Sequence, residues 1–283
     1  KVKSITIKDA LLFGSQKLKE AGLKKPLRDA RILLCFSLKI EKCEMMANLE
    51  RKIGNDSFAK FRKLIGRRAN FEPIQYITGL QPFYNTFLEV GKGCLIPRAE
   101  TEFLVEEALT IASGIKFPKI ADLGCGSGAI LKAISEELKK GIFIGIEKSR
   151  RSLLWACKNL KECSNCKLIH GDYELGAFMK NIDIIVCNPP YITEEEFEKL
   201  PQEIRLFEPK SSLLTKEVFY FYEMALNFAQ NALKKSGFIL FEIGAEQAKR
   251  NAHFNRISPY FEVHKKIKDY GGKLRVVVLK KIK

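Results

Sequence analysis

The sequence of 283 residues contains no uninterrupted apolar run of about 18 residues, the length expected of a membrane-spanning helix. The start of the chain, residues 1–9, is a short polar segment with no long apolar stretch, so we expect no secretory signal peptide. These two absences favour a cytoplasmic protein with no membrane partner.

Clusters of metal-binding residues are also scarce. The three histidines, His170, His253 and His264, are far apart and form no ligand motif. The eight cysteines are scattered, and only Cys163 and Cys166 have the spacing of half a zinc site. We therefore expect no metal and no secreted disulfide framework, which again favours a reducing cytoplasm.

Acidic residues are outnumbered, and the formal net charge is +16. Residues 1–75 hold 18 Lys and Arg against 8 Asp and Glu, whereas residues 76–283 hold 31 against 25. The excess in the first part favours an acidic macromolecular partner, either protein or nucleic acid. A solvated, lysine-rich surface would explain the same charge.

The hydrophobic pattern divides the chain into three parts. Residues 1–70 have helical spacing and predict a small helical bundle. Residues 71–97 are rich in aromatic and β-branched residues with glycines, which predicts a β-hairpin linker. Residues 98–283 alternate strands and helices, as in a doubly wound α/β sheet. The last two strands, near 260–263 and 274–279, predict an antiparallel pair at the sheet edge, which distinguishes class I methyltransferases from dehydrogenases.

A glycine turn follows the predicted strand 119–123. Its glycines, Gly124, Gly126 and Gly128, have the spacing G-x-G-x-G, whereas a dinucleotide site needs G-x-G-x-x-G. A nicotinamide cofactor is therefore disfavoured. Asp122, directly before the turn, suits a ligand with an amino group better than a pyrophosphate.

The next two strands end in residues that suit a nucleoside. Glu147 follows strand 142–146, about 20 residues beyond the glycines, where a carboxylate can accept from both ribose hydroxyls. Strand 167–170 leads to Tyr173, which could contact an adenine. In this order, the features predict an S-adenosylmethionine site on a Rossmann-like sheet.

Asn188-Pro189-Pro190-Tyr191 follows the apolar strand 182–187. The prolines fix the backbone and lack N–H groups, so the carbonyl oxygens keep set directions without a local competitor. The asparagine adds an acceptor and the tyrosine a flat wall. The motif indicates a cradle for a planar NH2 group, although a proline-rich turn is the simpler alternative.

The chain resembles the HemK/PrmC family, the N5-glutamine methyltransferases of peptide chain release factors, over nearly its whole length. Besides the glycine turn and Asn-Pro-Pro-Tyr-Ile, the resemblance rests on these segments: Glu72 to Gly79, Ile96 to Glu102, Arg205 to Pro209, and Asp269 to Gly272. Arg205-Leu206-Phe207-Glu208-Pro209 has one residue more than the family's usual Arg-Phe-Glu-Pro lid.

The resemblance implies a class I, Rossmann-like S-adenosylmethionine-dependent methyltransferase domain, preceded by a substrate-recognising helical bundle and a hairpin linker. The implied substrate is the glutamine of the Gly-Gly-Gln (GGQ) motif of release factors. The implied cofactor-binding residues are Gly124, Cys125, Gly126, Ser127, Gly128, Glu147, Tyr173 and Asn188. The implied catalytic and substrate-binding residues are Asn188, Pro189, Pro190 and Tyr191.

Two other functions stay open on the residues alone. Adenine-N6 nucleic-acid methyltransferases share Asn-Pro-Pro-Tyr, although no separate base-recognition domain is visible, so a nucleic-acid partner is disfavoured. A different protein-amide methyltransferase belongs to the same alternative. The second alternative is a non-catalytic adaptor that uses only the basic bundle to bind a partner. The intact cofactor turn disfavours this function.

Overall fold

The structure, a computed structural model, describes residues 5–283 and divides into two compact units. The first comprises the described residues up to Gly79 together with Pro201–Phe207. The second comprises Leu80–Leu200 and Glu208–Lys283.

The described residues form twelve α-helices and eleven strands. The helices are α1 (Ile7–Glu20), α2 (Pro26–Leu38), α3 (Lys42–Ala47), α4 (Asn55–Ala69), α5 (Ile74–Thr78), α6 (Glu102–Ala112), α7 (Ala129–Glu137), α8 (Arg150–Asn159), α9 (Glu194–Glu198), α10 (Gln202–Phe207), α11 (Tyr220–Ala232) and α12 (Ala245–Lys249). The strands are β1 (Ile5–Thr6), β2 (Lys52–Ile53), β3 (Leu80–Phe83), β4 (Thr86–Glu89), β5 (Lys119–Leu123), β6 (Ile142–Glu147), β7 (Cys166–His170), β8 (Ile182–Cys187), β9 (Leu233–Glu242), β10 (Phe261–Lys268) and β11 (Leu274–Lys281).

Helices α1, α2 and α4 build the first unit around an apolar core. Thr6 and Asp9 cap the start of α1 reciprocally, and Gly22, at φ +81°, follows its end. Gly14 brings α1 close to α4, because a Cβ there would lie 2.6 Å from the ring of Phe61. The buried core includes Ile7, Leu18, Leu33, Leu34, Met45, Phe61 and Ile65.

A buried arginine ties α10 into the first unit. Arg68 on α4 donates to Asp29 on α2 at 2.8 Å and pairs with Glu203 on α10 at 2.7 Å. It also donates to the carbonyl of Glu72 at 2.9 Å. These contacts explain why seven residues from the second half of the chain belong with the bundle.

The second unit contains a seven-stranded sheet with the order β10-β11-β9-β8-β5-β6-β7. β9, β8, β5, β6 and β7 are parallel, whereas β11 is antiparallel to both β9 and β10. Helices cover both faces, as the burial of every residue of β8 requires. The predicted α/β fold and its antiparallel edge pair are confirmed.

The direction in which successive strands are added to the sheet reverses at β5. β6 and β7 lie on one side of β5, and β8, which follows β7 in the chain, lies on the other side. In open α/β sheets, ligands bind outside the carboxyl ends of the strands at such a switch point. The glycine turn after β5 and Asn188 after β8 both lie at this position.

Local structure around residues 71–97 is more helical than the pattern predicted. Ile74–Thr78 forms α5, which begins after Pro73 and ends at Gly79 with φ +79°. The strands β3 and β4 then pair antiparallel. Pro73 before the helix and the left-handed Gly79 after it favour a short helix here, despite the strand preference of the β-branched residues in this segment.

Candidate active site

A cavity of about 340 Å³ opens at the carboxyl ends of β5, β6 and β8, a size within the range of small-molecule sites. Of the residues implicated by sequence, it is lined by Gly124, Gly126, Glu147, Tyr173, Asn188, Pro189 and Pro190. It is also lined by Leu95, Leu123, Lys148, Asp172, Glu174, Ser211, Ser212, Leu214, Lys216 and Phe221. The glycine turn and the Asn-Pro-Pro motif therefore share one cavity.

The glycine turn needs its glycines for backbone conformation. Gly124, Gly126 and Gly128 have φ values of +73°, +56° and +79°, in the left-handed region. Gly124 and Gly126 face the cavity, whereas Gly128 packs closely on Leu160. The turn therefore exposes backbone to the cavity at the start of α7, an arrangement suited to ligand binding.

Two other residues of the turn are used for packing. Cys125 is buried, and a Cβ on Gly145 would lie 2.8 Å from its sulfur. Ser127 is buried, and its carbonyl accepts from Asn159 at 2.9 Å. Burial raises the pKa of the Cys125 thiol, which therefore carries no thiolate at neutral pH.

Glu147 joins the end of β6 to the glycine turn. Its carboxylate accepts from the N–H of Gly126 at 2.8 Å and from the N–H of Ser149 at 2.6 Å. Burial raises the pKa of Glu147, while these backbone donors lower it. A buried carboxylate that still faces the cavity can accept further hydroxyl donors.

Asp122 is a buried acidic residue directly before the glycine turn. It is 1% exposed, and both carboxylate oxygens lack a hydrogen-bond partner among residues 5–283. Burial, with a contribution from the Glu147 charge, raises its pKa to about 8. Asp122 is not among the residues that line the cavity, but it lies two residues before Gly124, which does. A ligand with a cationic amino group beside the turn, such as S-adenosylmethionine, would favour the ionised form of this carboxyl group.

Tyr173 and its neighbours form another wall. The Tyr173 side chain is buried, and burial raises the pKa of its phenol well above its usual value. Lys148 pairs with Asp172 at 2.6 Å and with Glu174 at 3.3 Å, and Tyr220 donates to Glu174 at 3.0 Å. This network orders the cavity rim beside Tyr173.

Hydrogen bonds to Thr101 and Glu242 support the Asn-Pro-Pro-Tyr motif. The Asn188 amide nitrogen donates to Thr101 Oγ1 at 3.2 Å, and Thr101 donates to Glu242 at 2.6 Å. The Tyr191 hydroxyl donates to the other Glu242 oxygen at 3.1 Å. The Tyr191 ring packs on Gly244, where a Cβ would lie 2.6 Å from it. Tyr191 thus supports the motif, while Asn188, Pro189 and Pro190 line the cavity.

The segment after Phe207 covers another side of the cavity. Glu208 is buried and accepts from Arg98 at 2.6 Å and from the N–H of Ile96 at 3.1 Å. Backbone hydrogen bonds join Ile192 to Leu213 and Thr215, both at 2.9 Å. These hydrogen bonds to the residue after Tyr191 fix the part of the cavity wall formed by Ser211, Ser212 and Leu214.

Two protein families match this chain: residues 9–79 match the PrmC N-terminal domain, and residues 99–217 match the methyltransferase small domain. A release factor glutamine methyltransferase of Fusobacterium nucleatum subsp. nucleatum is 34% identical, over 93% of this chain and 76% of that protein. One of Thermodesulfovibrio yellowstonii is 36% identical, over 91% of this chain and 93% of that protein. The chain belongs to the release factor glutamine methyltransferase family.

A third member of the release factor glutamine methyltransferase family, from Caulobacter vibrioides, is 31% identical over 97% of this chain and 96% of its own length. The resemblance predicted from the sequence is thus confirmed over nearly the whole chain. Among solved structures, TrmN of Thermus thermophilus is similar with a TM-score of 0.46 and 20% identity, over 63% of this chain and 48% of its own. That likeness is too distant to bear on function.

For a member of this family, the residues that sequence reasoning missed are informative. Thr101 lies in a segment that supported the resemblance, but nothing local gives it a role. For Glu242, the only indication in the sequence of a role in the site is its position, as a carboxylate at the end of an apolar strand. Lys148 and the serines after Glu208 become part of the site only through tertiary contacts.

No group of three or more His, Cys, Asp or Glu in residues 5–283 is arranged to hold a metal ion. In the same part of the chain, no helix has the length and apolar character to cross a membrane.

Proposed function

We propose that this protein transfers a methyl group from S-adenosylmethionine to the side-chain amide nitrogen (N5) of the glutamine in the GGQ motif of a release factor. The observation that carries the proposal is the shared cavity, in which Gly126, Glu147 and Tyr173 face the same space as Asn188 and Pro189. The names of the relatives support the choice of a release factor as substrate.

The residues divide between the two ligands. The backbone of Gly124 and Gly126 would hold the methionine end of the cofactor, Glu147 its ribose and Tyr173 its adenine. When bound, S-adenosylmethionine supplies an electrophilic methyl group. Asn188 Oδ1 and the Pro189 carbonyl would accept the two hydrogens of the glutamine amide.

Positioning is the main contribution of the protein, because an amide nitrogen is a poor nucleophile. Holding two reactants in line can supply roughly 7–11 kcal/mol of the barrier. Acceptors on both N–H bonds also stabilise the positive charge that develops on nitrogen. The proton can leave after the new bond has formed, when the nitrogen is acidic, so no strong base is needed before attack.

The test is methyl transfer from radiolabelled cofactor to a purified release factor. Label on the release factor, lost when its GGQ glutamine is replaced by alanine, is the expected result. A parallel sample of unmethylated DNA tests the adenine alternative. Label on DNA alone would overturn the proposal while leaving the cofactor site intact.

We also propose that the helical bundle binds an acidic surface of the release factor. A groove of about 870 Å³ on the first unit has five basic side chains and one carboxylate around an apolar floor. The groove is lined by Arg28, Arg31, Ile32, Cys35, Phe36, Lys39, Ile40, Glu41, Lys42 and Lys60.

Charge and exposure support a protein partner for this groove. Phe36 stays partly exposed, with the Lys60 ammonium group 5.6 Å from the centroid of its ring. An acidic segment with apolar side chains would cover the Phe36 ring and pair with the basic side chains around it.

Reversing two charges of the groove tests this part of the proposal. Arg28→Glu/Lys42→Glu places carboxylates in the first turns of α2 and α3, where helix dipoles tolerate them. We expect a higher KM for the intact release factor and an unchanged KM for a short GGQ peptide. The matched control is Arg62→Glu/Lys63→Glu, on exposed positions of α4 outside the groove. Equal effects of the two pairs would contradict a specific role of the groove.

A further inference from the structure

Glu242 lies beside the Asn-Pro-Pro-Tyr motif because of the sheet register. β8 and β9 are parallel, and Cys187 pairs with Phe241. The next residues, Asn188 and Glu242, therefore emerge at the same end of neighbouring strands. Glu242 is 1% exposed, and burial of a carboxylate costs free energy unless hydrogen bonds compensate for the lost solvation.

Two hydroxyl groups donate to this carboxylate. Thr101 Oγ1 lies 2.6 Å from Glu242 Oε2, and the Tyr191 hydroxyl lies 3.1 Å from Oε1. Burial, followed by the nearby Glu242 charge, raises the pKa of Tyr191, so its hydroxyl keeps its proton and donates. Burial raises the pKa of Glu242, whereas the hydrogen bonds from Thr101 and Tyr191 lower it and favour the ionised form. In that form the carboxylate accepts from both sides.

The direction of these hydrogen bonds determines the orientation of Asn188. A hydroxyl has one proton, and Thr101 gives that proton to Glu242. The Thr101 oxygen can then only accept, and the group within reach is the Asn188 amide nitrogen at 3.2 Å. With its NH2 group used in this way, Asn188 keeps Oδ1 free to accept from another molecule.

Reversing the amide would reverse the specificity of the site. If Oδ1 faced Thr101, two acceptors would meet and the Asn188 NH2 would point towards the substrate. An NH2 group there would bind a carboxylate, as in glutamate, in place of an amide NH2. The chain Glu242–Thr101–Asn188 therefore sets which of two nearly isosteric side chains the site accepts.

We propose that Glu242, acting through Thr101, is a positioning residue that fixes the Asn188 amide and makes the site select glutamine over glutamate. This inference rests on the proposed function of Asn188 in binding the substrate amide. Neither Glu242 nor Thr101 touches the reacting atoms in this scheme. Thr101 acts on the orientation of Asn188, whereas Glu242 also accepts from the Tyr191 hydroxyl, so Thr101→Val is the more selective variant.

Thr101→Val removes the hydroxyl with little change in volume, and Thr101→Ser restores it. Glu242→Gln weakens the constraint, since a carboxamide can donate as well as accept. We expect Thr101→Val and Glu242→Gln to lower kcat on a GGQ peptide by about tenfold to a hundredfold, and Thr101→Ser to stay near wild type. Thr110→Val, on an exposed position of α6, is the matched control for loss of a threonine hydroxyl.

The decisive readout is the choice between glutamine and glutamate. In Thr101→Val and Glu242→Gln, we expect the inhibition constant of the corresponding Gly-Gly-Glu peptide to fall relative to the KM of the GGQ peptide. If Thr101 and Glu242 had a purely structural role, the variants would bind both peptides more weakly by the same factor. That result would overturn the proposal. Wild-type kcat and an unchanged ratio in Thr101→Val would overturn it as well.

A substrate-free measurement separates this inference from the proposed function. The Asn188 side-chain amide protons should be protected from solvent exchange in wild type and Thr101→Ser, and exposed to exchange in Thr101→Val, by nitrogen-15 NMR. Equal protection in all three would overturn the hydrogen-bond chain even if the wild type fails to methylate the GGQ peptide. A wild type that is inactive on the peptide but shows the expected protection would overturn only the proposed function.

Discussion

The buried carboxylate of Glu208 receives the Arg98 guanidinium at 2.6 Å, across 110 residues of sequence. Glu208 also accepts from the N–H of Ile96 at 3.1 Å, so one side chain fixes the segment before α6 and the segment that leads to Ser211 and Ser212. Two walls of the candidate active site therefore depend on one carboxylate.

Glu208→Ala should destabilise the protein and loosen the cavity wall. Loss of the carboxylate leaves the Arg98 guanidinium and the Ile96 N–H without this acceptor, at a cost of about 1–3 kcal/mol. We expect a lower midpoint of thermal unfolding and a higher KM for S-adenosylmethionine. Glu217→Ala, on an exposed glutamate of the same segment, is the control. An unchanged KM in Glu208→Ala would show that the wall is held by other contacts.

Asn188→Ala should abolish most turnover while cofactor binding survives. Removing one preorganised polar group at the reacting atom costs about 10²–10³-fold in kcat. The dissociation constant of S-adenosylmethionine, measured by calorimetry, should change much less, because the glycine turn and Glu147 are intact. Intact turnover would refute the role proposed for Asn188.

Asp122 should make the unliganded protein less stable as pH rises. Its folded-state pKa, about 8, is above its usual value of 3.8. Between these values the folded state binds the proton that the unfolded state has lost, so the free energy of unfolding falls with pH by up to about 1.4 kcal/mol per pH unit. Below pH 3.8 and above about pH 8 this contribution no longer changes.

Asp122→Asn should remove that contribution. Denaturant unfolding of wild type and Asp122→Asn at pH 5 and pH 8 measures it, since the variant should lose less stability between the two values. Glu147, whose pKa is also raised, is present in both proteins, and its charge contributes to the raised pKa of Asp122, so the comparison reports Asp122 together with this coupling. Parallel pH profiles would show that Asp122 is ionised at pH 5.

Two glycines of the bundle should respond oppositely to alanine. At Gly14 a Cβ would lie 2.6 Å from the Phe61 ring, so Gly14→Ala should cost about 1–3 kcal/mol. At Gly66, within α4, a Cβ meets nothing within 4 Å, so Gly66→Ala should stabilise by about 0.5–1 kcal/mol. Denaturant midpoints of the two variants test the packing of α1 on α4. Equal shifts in one direction would contradict it.

Local sequence was sufficient wherever backbone conformation decides the structure. Glycines 124, 126 and 128 adopt left-handed φ values that other residues avoid, and their spacing indicated the turn. Pro189 and Pro190 restrict their own backbone, so the fixed backbone of the motif could be predicted without its surroundings. The sequence did not indicate that Tyr191 contacts Glu242, outside the lining of the cavity. The alternation of strands and helices likewise predicted the parallel sheet, because buried strands and amphipathic helices have distinct periodicities.

Tertiary structure alone decided which distant side chains meet. Thr101 and Glu242 are 141 residues apart but form a hydrogen bond, and the register of β8 against β9 brings Asn188 beside Glu242. Likewise, Pro201–Phe207 joins the first unit through Glu203 and the buried Arg68. The sequence determined the local backbone and the type of chemistry. The orientation of the Asn188 amide required the fold, because hydrogen bonds between remote side chains leave no periodic pattern in the chain.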